Sequence, residues 1–330
     1  MSRKVNWGIL GCAGIAERAL VPAIKESRSG VLFGIASRDA KRAEGWARKH
    51  GFERSYRTYQ ELVDDPDVEA IYNPLPNHLH AEWSIRAARA GKHVLCEKPM
   101  AMNAAEVRDM AGAAEASGVL LMEAFMYKFH PQIEKTLGLL SRGEIGSVRS
   151  VHSSFTFRFE PDGVDYRWFP EMGGGALYDV GCYPISAARL VFGAEPVSVF
   201  ARSALDPKFG VDLSTHILLE FPGGHFAHCD CAFNAHFQSR LLVVGADGTL
   251  SLERAFSAKH HEVSVRIVKG DGQEQIPVPA ANMYTLMVEH FGECIAGKET
   301  PRYPARDAER NMAVIDACFE SVRTGRPVGF

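Results

Sequence analysis

The chain has 330 residues, more than one hydrophobic core usually supports, so two domains are expected, each with a substantial interior. A composition of 46% hydrophobic and 23% charged residues is that of a globular protein, and the longest apolar stretches, such as Val119 to Met122, fall far short of a membrane span. A net charge of -3 gives no footprint for nucleic acid, which leaves a small molecule as the expected partner, with neither nucleic acid nor membrane.

Met1-Ser2-Arg3-Lys4-Val5 has a small basic start, but a glycine-rich turn follows where a signal peptide needs its apolar stretch, so it reads as the lead-in to a strand. Seven scattered cysteines, an odd number without framework spacing, fit free thiols in a reducing compartment, and the cytoplasm is the expected location. Up to about residue 140, short β-rich runs (Val5 to Leu10, Val31 to Ala36, Val68 to Tyr72, His93 to Cys96, Leu120 to Glu123) alternate with helical segments. The helices are Ala40 to His50, Ala81 to Ala90 and Ala104 to Ala116, and this alternation predicts βαβ units on a parallel sheet.

After Gly146 the texture becomes β-branched and aromatic: Val148 to Phe159, Val197 to Ser203, Leu213 to Phe221, His225 to Phe233 and Leu241 to Val244. Turn signals at Pro222-Gly223-Gly224 and Ala246-Asp247-Gly248 predict antiparallel neighbours. One helix over Leu177 to Phe192 interrupts them, and Tyr284 to Ala296 and Ala305 to Thr324 are helical again. The expected fold is an α/β Rossmann N-terminal domain, 1–125, plus an α+β C-terminal domain, 126–330, with a large, mostly antiparallel open sheet. The C-terminal helices are free to pack back on the first domain.

Gly11-Cys12-Ala13-Gly14-Ile15-Ala16 runs from a strand through a turn into a helix, the setting of a dinucleotide fingerprint, with alanines at its second and third glycine positions. The physical demand is a tight turn, close backbone approach to a pyrophosphate and a helix N-terminus facing it, which alanine satisfies while φ stays negative. An ordinary glycine-rich turn is the alternative. At the end of the second strand, where NAD enzymes place an acid for the ribose hydroxyl, stands Ala36-Ser37-Arg38. A hydroxyl and a guanidinium, with Arg42 one turn on, suit a 2′-phosphate and point to NADP, the alternative being a helix N-cap followed by solvated basic residues.

The segments Asn73 to His80, Gly91 to Met100 with Glu97-Lys98-Pro99, Met122 to Tyr127, and Gly173 to Pro184 together resemble the glucose-fructose oxidoreductase and inositol dehydrogenase superfamily along almost the whole chain. They are most similar to its branch of dimeric dihydrodiol dehydrogenases and NADP-dependent xylose dehydrogenases; the glycine turn departs from the pattern. The resemblance implies that Lys98 reaches the reacting carbon, often from a cis Lys-Pro bond. Tyr183 is then the general acid/base, where other branches carry histidine, and Asp179 positions the substrate or tunes its neighbours. An ammonium such as Lys98 nearby would favour the phenolate. A continuous helix would present Asp179 and Tyr183 on one face, with Pro184 a possible kink.

By the same resemblance Leu75, Asn77 and His80 line the cofactor groove and Glu97 lies by the nicotinamide ribose. Arg167 and Trp168 contact the cofactor or close the site, Trp168 being equally readable as a core aromatic. The active site is expected in the cleft between the halves. His225, Cys229 and Cys231 are set aside as metal ligands because strand residues are poorly clustered for zinc, so no metal is expected. The expected activity is NADP-dependent hydride transfer with a sugar or dihydrodiol carbinol, foremost aldose to aldonolactone. A 3-ketoreductase and a non-catalytic NADP-binding regulator are the alternatives. The open sheet predicts at least a homodimer, and His152, Phe157 and Arg158 are named as guesses for the substrate pocket.

Overall fold

The computed structural model describes residues 3–161 and 163–330; Met1 and Ser2, at the head of the expected first strand, lie outside them. In chain order the first part contains β1 (Val5–Leu10), a π-helical turn (Ala16–Leu20), α1 (Val21–Glu26), β2 (Gly30–Ala36), α2 (Ala40–His50), β3 (Arg54–Tyr56) and α3 (Tyr59–Asp64). It continues with β4 (Ala70–Asn73), α4 (His80–Arg89), β5 (His93–Cys96), α5 (Ala104–Ala116) and β6 (Leu121–Glu123). Then come α6 (Pro131–Ser141), β7 (Val148–Arg158), a second π-helical turn (Leu177–Gly181), α7 (Cys182–Phe192), β8 (Ser198–Leu205), β9 (Asp212–Phe221) and β10 (His225–Ala232). The chain ends with β11 (Asn234–Gly245), β12 (Thr249–Leu252), β13 (Val263–Lys269), β14 (Gly272–Val278), α8 (Met283–Ile295), α9 (Ala305–Thr324) and β15 (Val328–Gly329).

Two compact units result. The first comprises the chain up to Met126 together with Asn282–Glu309. Its six strands are all parallel, in the order β3-β2-β1-β4-β5-β6, which is the doubly wound Rossmann order with its switch between β1 and β4. Buried on both faces, these strands read as near-continuous apolar runs such as Val5 to Leu10. The helices between them start where the sequence offers caps: Asp39 accepts from the amides of Lys41 and Arg42, Thr58 from Glu61, Asn103 from Glu106. The late helix α8 packs on α1 and β2, and its Phe291 ring lies 5.7 Å from that of Trp7.

The second unit comprises Tyr127–Ala281 and Arg310–Phe330. Its nine-stranded sheet runs β14-β13-β12-β11-β7-β10-β9-β8-β15 and is antiparallel except where β7 meets β10. Alternation assigns the two faces. Val151, Ser153 and Phe155 of β7 and Ala227, Cys229 and Cys231 of β10 point to the covered side, where α7 and its π turn pack. His152 and Ser154, of opposite parity, point outward with His228 and Asp230. β3, β12, β13, β14 and β15 had no counterpart in the expected strands; β13 does alternate, with Val265 and Ile267 buried on either side of exposed Arg266, whereas Gln273, Glu274 and Gln275 make β14 polar. The strand expected over Leu241 to Val244 is the end of the twelve-residue β11.

Candidate functional site

In the first unit the glycine turn closes as the fingerprint demands. Gly11 holds φ +81°, donates its amide to Ala36 O at 2.8 Å, and has Leu75 Cδ2 3.1 Å from where a Cβ would sit. Only glycine takes that backbone without strain. Lys259 is the one non-glycine with positive φ among the described residues, so Ala13 and Ala16 sit in the turn without it. The helix opens at Gly14, and its first intrahelical bond is Glu17 N to Ala13 O at 3.1 Å. The amides of Gly14, Ile15 and Ala16 precede that bond, as orphan donors of a helix N-terminus do, in a cradle that suits a pyrophosphate. Cys12 is buried, and burial raises its thiol pKa.

The end of β2 fits a 2′-phosphate. Ser37 is buried and its Oγ accepts from Asp39 N at 3.2 Å; Arg38 is exposed, with the Tyr59 hydroxyl within its reach. The nearest carboxylate, Asp39, is engaged in capping α2 through Lys41 N (3.0 Å) and Arg42 N (3.2 Å). Arg42 reaches back to donate to Cys12 O at 2.9 Å, joining the α2 terminus to the glycine turn.

At the carboxyl ends of β4 and β5 stands the turn carrying Lys98, with a cis Lys98–Pro99 bond. Its ammonium-bearing residue is half-buried, and its supports are buried polar groups. Tyr72 on β4 donates its hydroxyl to Glu97 Oε1, and Glu97 Oε2 accepts Lys98 N at 3.3 Å. Met100 N donates to Glu123 Oε1 at 2.9 Å. His80 is fully buried, with Nδ1 2.9 Å from Pro99 O and Nε2 2.7 Å from Leu75 O. Burial pushes its pKa down to about 4 against the pull of the two carbonyls. The ring lies between the Leu75 loop and the Lys98 turn, its one N–H in the neutral form donating to one of the two carbonyls. Leu75 N in turn donates to Asn73 Oδ1 at 3.3 Å, and Asn77 is buried in the following 3-10 turn. Tyr284, on α8, brings a buried phenol into electrostatic range of Glu97 and Lys98; its burial raises its pKa.

In the second unit three glycines make the turn that launches the helix. A Cβ on Gly174 would lie 2.5 Å from Arg167 O, and on Gly175, at φ +104°, 2.0 Å from Asp212 Oδ1. Gly175 N donates to Arg167 O at 2.9 Å, and Asp179 N to Gly175 O at 3.1 Å. Asp179 closes the ring, its Oδ2 3.1 Å from Arg167 Nε; Arg167 is also held by Asp165, Nη1 to Oδ2 at 2.9 Å. Asp179 is the main cause of the raised pKa of Arg167. Trp168 stacks on Phe159 at 5.3 Å and contacts Phe233 and Phe209, a core aromatic within this unit, and its Nε1 is buried without a hydrogen-bond partner.

Asp179 falls in a π-helical turn and Tyr183 in α7, which continues from it without a break, so the two do not share a simple i, i+4 stripe; Pro184 lies inside this continuous helical run, just after the π turn. Tyr183 is buried in a ring of aromatics: Phe155 at 5.1 Å, Phe256 at 5.5 Å and Tyr127 at 5.7 Å. Tyr127 donates its hydroxyl to Ser186 Oγ at 2.9 Å, and Phe256 N donates to Ser239 Oγ at 3.0 Å. None of these three rings stood among the expected site residues, because they come from three separate segments. The odd-position aromatics of Phe155-Thr156-Phe157-Arg158-Phe159 were the available signal. His152 is corrected: it lies on the outward face, stacked on His228 at 4.8 Å, opposite in parity to Phe155. Arg158 is exposed beside Glu160, whereas Phe157 shares the Phe155 side. Cys229 and Cys231 are buried in the sheet, Cys231 against Gly181, and no cluster of three metal-ligating side chains occurs among the described residues.

Comparison with known proteins bears on both units. The family described as "Oxidoreductase family, NAD-binding Rossmann fold" matches residues 5–125, and the GFO/IDH/MocA C-terminal domain matches 134–251. D-xylose 1-dehydrogenase (NADP(+)) 2 of Haloferax volcanii is 38% identical over 324 residues, 98% of each chain. KijD10, a 3-ketoreductase from Actinomadura kijaniata solved with NADP and TDP-benzene, superposes with a TM-score of 0.92 at 35% identity, covering 98% of both chains. The aldose-aldose oxidoreductase of Caulobacter crescentus, complexed with glycerol, gives 0.92 at 31% identity, covering 99% of this chain and 100% of the other. This chain therefore belongs to the GFO/IDH/MocA family of oxidoreductases.

Proposed function

We propose that the protein is an NADP-dependent oxidoreductase acting on a sugar or dihydrodiol carbinol, most directly an aldose 1-dehydrogenase forming the aldonolactone. The observation that carries this reading is the half-buried Lys98 on its buried polar supports at the carboxyl edge of a Rossmann sheet, in a chain whose relatives include an NADP-dependent xylose dehydrogenase. The cofactor, when bound, supplies the hydride acceptor and donor. Gly11 to Ala16 would hold its pyrophosphate, and Ser37 with Arg38, assisted by Arg42, its 2′-phosphate. Leu75 and Asn77 would bound its groove, with Glu97, as the resemblance implies, by the ribose.

Lys98 orients the substrate hydroxyl and stabilises negative charge developing on its oxygen. Tyr183 Oη takes the hydroxyl proton in oxidation and returns it in reduction. Asp179, fixed by Arg167, positions the substrate against that phenol. A second reading, reduction of a 3-keto sugar, uses the same residues in reverse and is favoured by the likeness to KijD10. A second copy of the chain is proposed to cover the outward face of the nine-stranded sheet, where Phe226, Phe200 and Leu218 stand exposed or half-buried beside His228 and His152. Sedimentation showing only monomer would overturn that assembly. The reaction is tested by NADP reduction across aldoses and dihydrodiols alongside NADPH oxidation by keto sugars; turnover in neither direction overturns it.

A further inference from the structure

Asp212 opens β9 and is 5% exposed, a buried carboxyl that none of the chemistry above uses. Its Oδ2 accepts Leu177 N at 2.8 Å and Thr215 Oγ1 at 2.8 Å, and Thr215 Oγ1 lies 2.7 Å from Ser203 Oγ on β8. Since Thr215 gives its proton to Asp212, Ser203 is the donor to Thr215. The other oxygen, Oδ1, fills the space at Gly175 that a Cβ would need, 2.0 Å away. The carboxyl thus binds the Leu177 end of the segment Gly175 to Leu177 by a hydrogen bond and packs against its Gly175 end. That segment is the root of both functional side chains: Gly175 O receives Asp179 N, Gly175 N binds Arg167 O, and Leu177 begins the π turn that runs into the Tyr183 helix.

Resting on the catalytic reading above, we infer that Asp212 is a positioning residue: its ionised carboxyl clamps the Gly175–Leu177 turn and thereby fixes Asp179 and Tyr183 for the reaction. The surrounding groups are neutral: Leu177 N on the turn, Thr215 on β9, Ser203 on β8 and the Cys231 thiol on β10, which burial keeps protonated. Burial pushes the Asp212 pKa up to about 6, against the hydrogen bonds from Thr215 and Leu177. Protonation weakens the acceptor of both donors, so the clamp loosens below that pH.

The test uses the full chain, with Asp212→Asn, Thr215→Val and Thr215→Ser compared with wild type. Amide hydrogen exchange over residues 174–183 is followed near neutral pH, and the pH profile of kcat is taken for NADP reduction by D-xylose. Asp212→Asn is expected to speed exchange and to lower kcat about tenfold with the KM for NADP within about twofold, as a small displacement of a catalytic group does. It should also abolish the acid limb. Thr215→Val, which removes a donor that stabilises the carboxylate, moves that limb to higher pH, and Thr215→Ser restores it. Wild-type exchange and an unmoved limb in Thr215→Val would overturn the clamp, even if Asp212→Asn fails to fold. If D-xylose is not turned over, the proposed reaction is at fault and exchange alone decides the clamp. If Lys98→Met and Tyr183→Phe are inactive while Asp212→Asn and Thr215→Val match wild type in both measurements, the clamp falls and the reaction stands.

Discussion

The turn bearing Lys98 and the helix bearing Tyr183 are held in opposite ways. Around Lys98 the supports are polar and buried: His80 between two carbonyls, Tyr72 on Glu97, Glu123 on Met100 N. Around Tyr183 they are rings from Tyr127, Phe155 and Phe256, with one buried carboxyl at the root of the helix. Hydrogen bonds fix direction, which would suit the proposed role of the Lys98 ammonium; aromatic packing excludes water, which would suit the proposed proton-transfer role of the Tyr183 phenol.

The largest effects should come from the two tips. Lys98→Met and Tyr183→Phe are each expected to slow single-turnover hydride transfer about a thousandfold while NADP binding stays within about twofold, measured by stopped-flow absorbance and by titration. Arg38→Ala is expected to weaken NADP by ten- to a hundredfold and leave NAD unchanged, since it removes a charge-assisted contact to a 2′-phosphate, read from kcat/KM for both cofactors. Equal loss for both would place Arg38 outside the phosphate site. Phe256→Ala should cost about 3–5 kcal/mol, the range for emptying a buried aromatic site, against about 1–3 kcal/mol for His80→Ala, which strands the carbonyl served by the one ring N–H, both by denaturant unfolding.

The two supports also separate by the sign of a pH slope. His80 is neutral when folded down to about pH 4, while an unfolded histidine takes its proton near 6.5, so stability falls as pH drops through that window. Asp212 keeps its proton when folded up to about pH 6, while an unfolded aspartate loses it near 3.9, so its contribution grows as pH drops. Each is on the order of 3 kcal/mol across its window. His80→Gln should therefore flatten the acid loss of stability, and Asp212→Asn should steepen it; the same slope in all three proteins would remove both assignments.

Much of the first unit was legible because its signals are local. β1, β5, α2 and α5 carry their boundaries in apolar runs and caps, and the glycine turn and Glu97-Lys98-Pro99 are contiguous. What surrounds them was less so: Tyr284 comes into electrostatic range of Glu97 and Lys98 from a helix almost two hundred residues later, and no periodicity announces that return. In the second unit Asp179 and Tyr183 were legible from one motif, but Phe155, Phe256 and Asp212 were not. Each looks like an ordinary strand or loop residue until sheet pairing brings β7, β9 and the segment after β12 to one helix. His152 shows the same limit from the other side, since one residue of register decides which face a side chain occupies.

The most direct test of the proposed reaction is a single-turnover measurement of NADPH formation when wild type, Lys98→Met and Tyr183→Phe, each saturated with NADP, are mixed with D-xylose and, in a parallel series, with the other aldoses. A wild-type burst that both variants lose while still binding NADP is the expected result. Bursts of near-wild-type rate in both variants would contradict it.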